Sequence, residues 1–296
     1  MKKEKKMKDY VIYTDASADV DSDFLNANGV KTVPMEYMLD GEPQSCYGND
    51  AEKYKDFYGK LRRGSNATTS QITPFIYEET FSPLLEKGVS VLYISLSSGL
   101  SSTFQSACTA AKTLKEKYPD ANLIPVDSLF ATGGMGLLCE RAVKNKENGL
   151  SATENASDLA QFRKDKLAGV CFVDNLNHLR KGGRISAATA VFGTILNIKP
   201  LIAITDDGTL KNFGKCQGEK RALKELADIY KKNADLSADY SVYICDSDNP
   251  KGSDALAQSI KAINPDAVIR KVFLTPIIGT HLGPDSVVLC YVKKQS

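Results

Sequence analysis

Apolar residues recur with two different periods along this 296-residue chain. Short runs rich in β-branched and aromatic residues lie at 10–14, 30–35, 90–94, 122–126 and 167–173, and each reads as a strand. Between these runs the spacing lengthens. Phe104, Ala107, Cys108, Ala111, Leu114 and Tyr118 fall on one face of a helix. Pro74 after Thr73 marks a second helix, an N-cap followed by proline at the first helical position. Ser151-Ala152-Thr153-Glu154 is a capping box that opens a third. Strand–helix alternation over residues 1–165 predicts parallel βαβ units.

The second half changes character. Residues 201–205, then Asp206-Asp207-Gly208, then 209–215 read as a β-hairpin. An amphipathic helix follows, with Ala222, Leu223, Leu226, Ala227 and Tyr230 on its apolar face. Further strands are expected at 240–245, 268–274 and 287–291. The pattern predicts an α/β protein of two domains. Residues 1–165 would form a Rossmann-like parallel-sheet domain and residues 166–296 a mixed-sheet α/β domain, with the boundary between 160 and 175.

Composition narrows the class. Hydrophobic residues are 42% and charged residues 25%, which excludes a disordered chain, a fibrous repeat and a small disulfide scaffold. A net charge of +2 gives no electrostatic reason to expect a nucleic-acid partner. With only His178 and His281, a multi-histidine metal site is ruled out. Seven cysteines without a C-x-x-C pair fit buried thiols in a reducing, cytoplasmic compartment. Lys2, Lys3, Lys5, Lys6 and Lys8 resemble the start of a signal peptide, but no apolar core follows, so a basic surface tail is expected, with Met7 an alternative start. No apolar run is long enough to span a membrane.

Several chemistries lack their motif. There is no G-x-S-x-G elbow. Gly208 and Gly214-Lys215 are one residue too far apart for a Walker A loop, and Cys216 follows. Gly134-Met135-Gly136 leads to Cys139 where a dinucleotide fingerprint needs a small residue. Four polar clusters stand out instead: Thr68-Thr69-Ser70-Gln71; the serine-rich loop at 95–102; Arg180-Lys181-Gly182-Gly183-Arg184; and Gly279-Thr280-His281-Leu282-Gly283-Pro284. The serine-rich loop joins a strand to a helix N-terminus, where open α/β sheets bind anions. It is equally readable as a capped turn, with Ser101 or Ser102 as the cap. The two glycines before Arg184 allow a close backbone approach, and its guanidinium suits a carboxylate or phosphate; the same stretch also suits a helix C-cap and surface turn. His281 reads as an anion ligand, a proton-transfer group or a hydrogen-bonded structural residue, and His178 as structural.

Taken in order, these segments resemble the DegV family. The resemblance rests on Thr69-Ser70-Gln71; Ser97-Ser98-x-Leu100-Ser101 leading to Thr103-x-Gln105-Ser106-Ala107; Asp127-Ser128; Lys181-Gly182-Gly183-Arg184-Ile185-Ser186; Leu196-Asn197-Ile198-Lys199-Pro200; and Gly279-x-His281-x-Gly283-Pro284. Thr14-Asp15 at the end of the first strand also fits, and the likeness covers about residues 8–292. It implies a two-domain protein that encloses one long-chain fatty acid between its domains. No cofactor or metal is implied. The acyl carboxylate would be presented to a dihydroxyacetone-kinase-like fatty acid kinase in bacteria, forming an acyl phosphate for phospholipid synthesis. Transient contact with a membrane surface would serve lipid exchange. Carried over residue by residue, Thr69, Ser97 and Ser98 would bind the carboxylate, and Gly183, Arg184 and His281 would lie by the head group and transferred phosphate. The tunnel walls would be residues 187–196 with Ile277 and Ile278.

Three positions depart from the family pattern. Ser102 stands in Ser101-Ser102-Thr103-Phe104 where a glycine is usual; Gln217 replaces a frequent basic residue; Asp285 follows Gly283-Pro284 in place of glycine. A carboxylate near an anion site would repel the ligand, so Asp285 is expected to point outward. The competing reading is a small acyl or phosphoryl hydrolase using Ser98, Arg184 and His281. The missing elbow and the missing carboxylate partner for His281 weigh against it.

Overall fold

The computed structural model describes residues 10–186 and 197–295. In chain order the elements are β1 (Tyr10–Asp15), α1 (Ser22–Ala27), β2 (Lys31–Val33), β3 (Met35–Leu39), β4 (Glu42–Cys46), α2 (Ala51–Arg62), β5 (Ala67–Thr69), α3 (Pro74–Leu85), β6 (Ser90–Ser95), α4 (Thr103–Lys117), β7 (Leu123–Asp127), α5 (Gly133–Glu147) and α6 (Ala152–Lys166). There follow β8 (Leu167–Phe172), α7 (Asn177–Lys181), β9 (Ile198–Ile204), β10 (Leu210–Gln217), α8 (Glu219–Asn233), β11 (Val242–Asp246), α9 (Pro250–Ile263), β12 (Ile269–Phe273), α10 (Pro276–Leu282) and β13 (Val287–Val292).

The architecture is α/β, as the alternation predicts. A four-stranded parallel sheet runs β2-β1-β6-β7. A six-stranded mixed sheet runs β10-β9-β8-β13-β11-β12, with β9 and β10 forming the expected hairpin. Thr73 caps α3 by accepting from the Ile76 amide, and the Ser151–Glu154 capping box is closed in both directions.

The predicted single strand at 30–35 is broken. Pro34 has no amide hydrogen to give a ladder, so the chain leaves the parallel sheet after Val33 and starts a third sheet at Met35. That third sheet, β4-β3-β5, is antiparallel. It turns the expected loop at Thr68-Thr69 into the edge strand β5, with Thr69 opposite Tyr37.

Alternation along β13 gives each face of the mixed sheet its own core. Val288, Cys290 and Val292 join one apolar cluster, and Val287, Leu289 and Tyr291 join another with α8 and α9. The first cluster also contains the parallel sheet and α5, so a single core links the two main sheets. The glycines of α5 make this possible. A Cβ at Gly133 would lie 2.4 Å from the Tyr243 Cβ, and one at Gly136 would lie 2.6 Å from the Tyr243 ring. Helix α5 therefore lies directly on β11 of the mixed sheet, a contact any larger residue would forbid.

Asp285 is held by Arg62 at the end of α2, with contacts of 2.6 and 3.2 Å, and Arg62 also pairs with Asp248. The carboxylate is neutralised there, in keeping with its expected outward direction. No helix among the described residues is long and apolar enough to cross a membrane.

Candidate functional site

A cavity of about 470 Å³ opens between elements of the first and second halves of the chain, within the range usual for small-molecule sites. Its body is apolar, walled by side chains such as Leu96, Phe130, Ile202, Ile277, Ile278 and Val288. Its polar groups come mostly from the four clusters singled out in the sequence, Thr69 to Gln71, the loop after β6, Arg184 and His281, and Thr132 adds one from outside them. Ile277 and Ile278 line the cavity as expected, whereas the proposed wall at 187–196 lies outside the described residues.

Thr69 and His281 meet because α10 packs across β3 and β5. The Thr69 Oγ1 is 2.8 Å from His281 Nε2. Gly279 admits that packing, since a Cβ there would lie 2.2 Å from the Tyr58 hydroxyl, which donates to the Leu274 carbonyl at 2.7 Å. His281 is fixed from its other side by glycine. A Cβ on Gly182 would sit 2.2 Å from His281 Nδ1. The arrangement is reciprocal: a Cβ on Gly283 would sit 2.4 Å from the His178 ring. Two histidines and two glycines thus interlock α7 with α10, which gives His178 the structural role read from the sequence.

The electrostatics favour an anion. Burial, with help from Arg184 and His178, pushes the His281 pKa down to about 4, so the ring is neutral at pH 7. His281 Nδ1 is buried and has no hydrogen-bond partner among the described residues. Arg184 is half-buried, and among the described residues it donates to carbonyls alone, Leu100 at 3.0 Å and Gly182. Among the described residues no carboxylate pairs with it, and burial lowers its pKa. A cation held by carbonyls alone keeps its attraction for an incoming carboxylate or phosphate.

The serine pair separates. Ser98 lines the cavity, and its backbone amide is held by Asp127 Oδ1 at 3.1 Å. Ser97, expected beside it on the carboxylate, is fully buried elsewhere. Its hydroxyl donates to the Gly208 carbonyl at 2.8 Å and accepts from the Gly99 amide at 3.1 Å. It clamps the tip of the β9–β10 hairpin to the β6–α4 loop, and successive residues of that turn face opposite ways. Gly183 also stands apart: it is exposed, has φ +71°, and has open space where a Cβ would project. The glycine that touches the site is Gly182.

Of the two serines offered as caps for α4, Ser101 makes the bond. Ser102 makes no side-chain cap bond; Ser101 Oγ accepts from the Thr103 amide at 3.2 Å. Ser101 and Ser102 both line the cavity, as do Ser70 and Gln71. Thr132 was not foreseen. It lines the cavity with φ 47°, a conformation strained for a β-branched residue, and its buried hydroxyl has no hydrogen-bond partner among the described residues. Nothing in the local sequence marks it.

Among the described residues the hydrolase arrangement is not assembled: His281 Nε2 is engaged by Thr69, and no described carboxylate orients Nδ1. Among the described residues no cluster of three potential metal ligands occurs.

The family model described as "Uncharacterised protein, DegV family" matches residues 9–294. A DegV domain-containing protein of Clostridium perfringens is 35% identical over 277 residues, covering 94% of this chain and 95% of its own. Two solved structures share the fold at greater distance. The first is a DegV lipid-binding protein from Thermotoga maritima, with a TM-score of 0.85 and 26% identity, covering 97% of this chain and 100% of that one. The second, a DegV family protein from Thermus thermophilus described for its fatty acid binding, has a TM-score of 0.81 and 27% identity, covering 96% and 99%.

Proposed function

Because this chain belongs to the DegV family, we propose that it binds one long-chain fatty acid in the cavity between its two halves. The carboxylate lies among Thr69, Ser98, Arg184 and His281, and the acyl chain runs along the apolar body. The observation that carries this reading is Arg184. A half-buried guanidinium that, among the described residues, is held by carbonyls and no carboxylate sits at one polar end of an otherwise apolar chamber.

The energetics are consistent. Each buried methylene contributes about 0.8 kcal/mol, so some fourteen would contribute roughly 11 kcal/mol before ordering costs. Burying a bare carboxylate would cancel much of that gain. The Thr69 and Ser98 hydroxyls and Arg184 offset the loss by hydrogen bonding and charge.

The finer role follows the family resemblance. The protein is a cytoplasmic carrier without a cofactor, presenting the carboxylate to a fatty acid kinase. The acyl phosphate feeds phospholipid synthesis, and brief contact with a membrane surface exchanges lipid. Arg184 and His281 then stabilise charge on the transferred phosphate. Arg184→Ala should weaken fatty-acid retention and, even at saturating fatty acid, support little acyl-phosphate formation with a cognate kinase and ATP; undiminished turnover of the loaded variant would refute that role.

The primary test is mass spectrometry of denatured recombinant protein made in bacteria. The expected result is one fatty acid per chain. Folded protein that carries none and takes up none when it is added would overturn the proposal.

A further inference from the structure

The cavity shares a wall with a second one. A chamber of about 230 Å³ lies beside it, and Phe130, Gly169, Val170, Ala203 and Ile204 line both. The far chamber has an apolar part, including Leu129, Ile229 and Tyr291, and a cationic rim from Arg163, Lys164 and Lys293.

The wall stands where two strands cease to pair. The β8–β9 ladder extends from Phe172–Leu201 to Val170–Ala203, and Gly169 and Ile204 lie just beyond its last pair. Gly169 contributes no side chain to fill the gap. The Phe130 ring does so: a Cβ on Gly169 would lie 3.1 Å from Phe130 Cε1, 3.3 Å from Ile204 Cγ2 and 3.5 Å from Cys290 Sγ. The other side of the ring rests on α5, where a Cβ on Gly134 would lie 2.3 Å from Phe130 Cδ1. Two glycines therefore hold one aromatic ring across the opening.

Position along β8 sets which end of the chamber this is. Arg184 follows α7, which begins beyond the far end of β8 at Phe172, whereas Gly169 lies three residues back, about 10 Å along the strand. We propose that Phe130 is the end-stop of the acyl chamber and, with Gly169, sets the longest chain the protein retains. This rests on the fatty-acid reading above. Truncating the ring would join the two chambers. The loop would keep its backbone bonds, from the Phe130 amide to Ser128 Oγ at 3.0 Å and from the Ser97 amide to the Phe130 carbonyl at 2.9 Å. A methyl group at Gly169 would act in the opposite sense, projecting among Phe130, Ile204 and Cys290.

The test uses delipidated full-length protein equilibrated with an equimolar mixture of even-chain saturated acids from myristate to behenate, read by native mass spectrometry. Phe130→Ala should shift the retained population to longer chains, by roughly tenfold in the ratio of acids differing by two methylenes. Gly169→Ala should shift it to shorter ones. Phe130→Leu, with melting curves for all variants, separates chamber length from folding; it should give an intermediate shift. Should Phe130→Ala fail to fold, Phe130→Leu and Gly169→Ala decide the matter. Loaded, folded variants with the parental chain distribution would reject the end-stop while leaving fatty-acid binding intact. A parent protein that takes up no acid would remove both.

Discussion

Thr69 and His281 stand 212 residues apart in sequence and 2.8 Å apart across the polar end of the cavity. Their contact carries one strand of a small antiparallel sheet to the helix that closes the chamber. It also joins a hydroxyl to an imidazole that burial keeps neutral.

This neutrality is measurable, because the chain has only two histidines. In ligand-free protein the His281 Cε1–H resonance should titrate at about pH 4, with His178→Gln assigning the signals. Binding of a fatty carboxylate should move that midpoint upward, since a nearby anion favours the imidazolium. The stability consequence has a definite sign. The native ring binds fewer protons than the unfolded one between about pH 4 and the ordinary value of 6.5. Its contribution is complete above pH 6.5 and is lost as pH falls through that window. A ligand-free His281 that titrates near 6.5 would contradict the buried geometry.

Gly182 and Gly183 should respond oppositely to alanine. At Gly182 the new Cβ collides with His281 Nδ1, so Gly182→Ala should displace the imidazole and weaken fatty-acid retention at least tenfold. At Gly183 the space is open and only the positive φ is strained. Gly183→Ala should cost about 1 kcal/mol of stability and leave retention near parental. Equilibrium binding and denaturant unfolding of both variants check the contrast.

The adjacent serines should also diverge. Ser97→Ala leaves the Gly208 carbonyl and the Gly99 amide without their buried partner, so a stability loss of about 1–3 kcal/mol is expected. Ser98→Ala and Thr69→Ala each remove a hydrogen bond to the proposed carboxylate. They should weaken binding by about 1.5–3 kcal/mol while melting near the parent temperature. A fluorescent fatty acid bound equally well by both would displace the carboxylate site from these hydroxyls.

Asp19 predicts a second pH effect, of opposite sense. It is buried, accepts from the Thr275 amide at 2.8 Å, and its other oxygen has no hydrogen-bond partner among the described residues; burial pushes its pKa up to about 7. The native state therefore holds a proton that the unfolded chain releases near pH 4, so this group's contribution is lost as pH rises towards 7. Asp19→Asn preserves the shape and suits the positive φ at this position. The variant should lose that part of the pH dependence and gain stability relative to the parent at pH 7–8. Parallel stability–pH curves for the two proteins would refute the assignment.

Much of the fold is readable from local rules. The period of apolar residues marks β1, β6 and β7 and the helix α4; Thr73-Pro74 and Ser151–Glu154 open α3 and α6 where their caps say. Each signal acts within a few residues, through backbone groups that must be satisfied wherever the helix goes. The hairpin around Asp206-Asp207-Gly208 is legible for the same reason. The polar clusters are legible too, because hydroxyls, glycines and an arginine gathered in loops have a chemistry independent of their neighbours.

What the sequence alone determined, then, is the order of the elements, their caps and the four loops that hold the polar groups. Only tertiary structure decided which atoms of those loops face one another. Whether Ser97 or Ser98 turns inward depends on the Gly208 carbonyl, brought from a hairpin 111 residues away. Whether Gly182 or Gly183 matters to His281 depends on the seating of α10, which Tyr58 and Gly279 set together. The end of the chamber depends on a ring from one loop filling a gap between two strands of another sheet. Such choices are made by steric exclusion and by pairing between distant segments, and neither leaves a period in the chain.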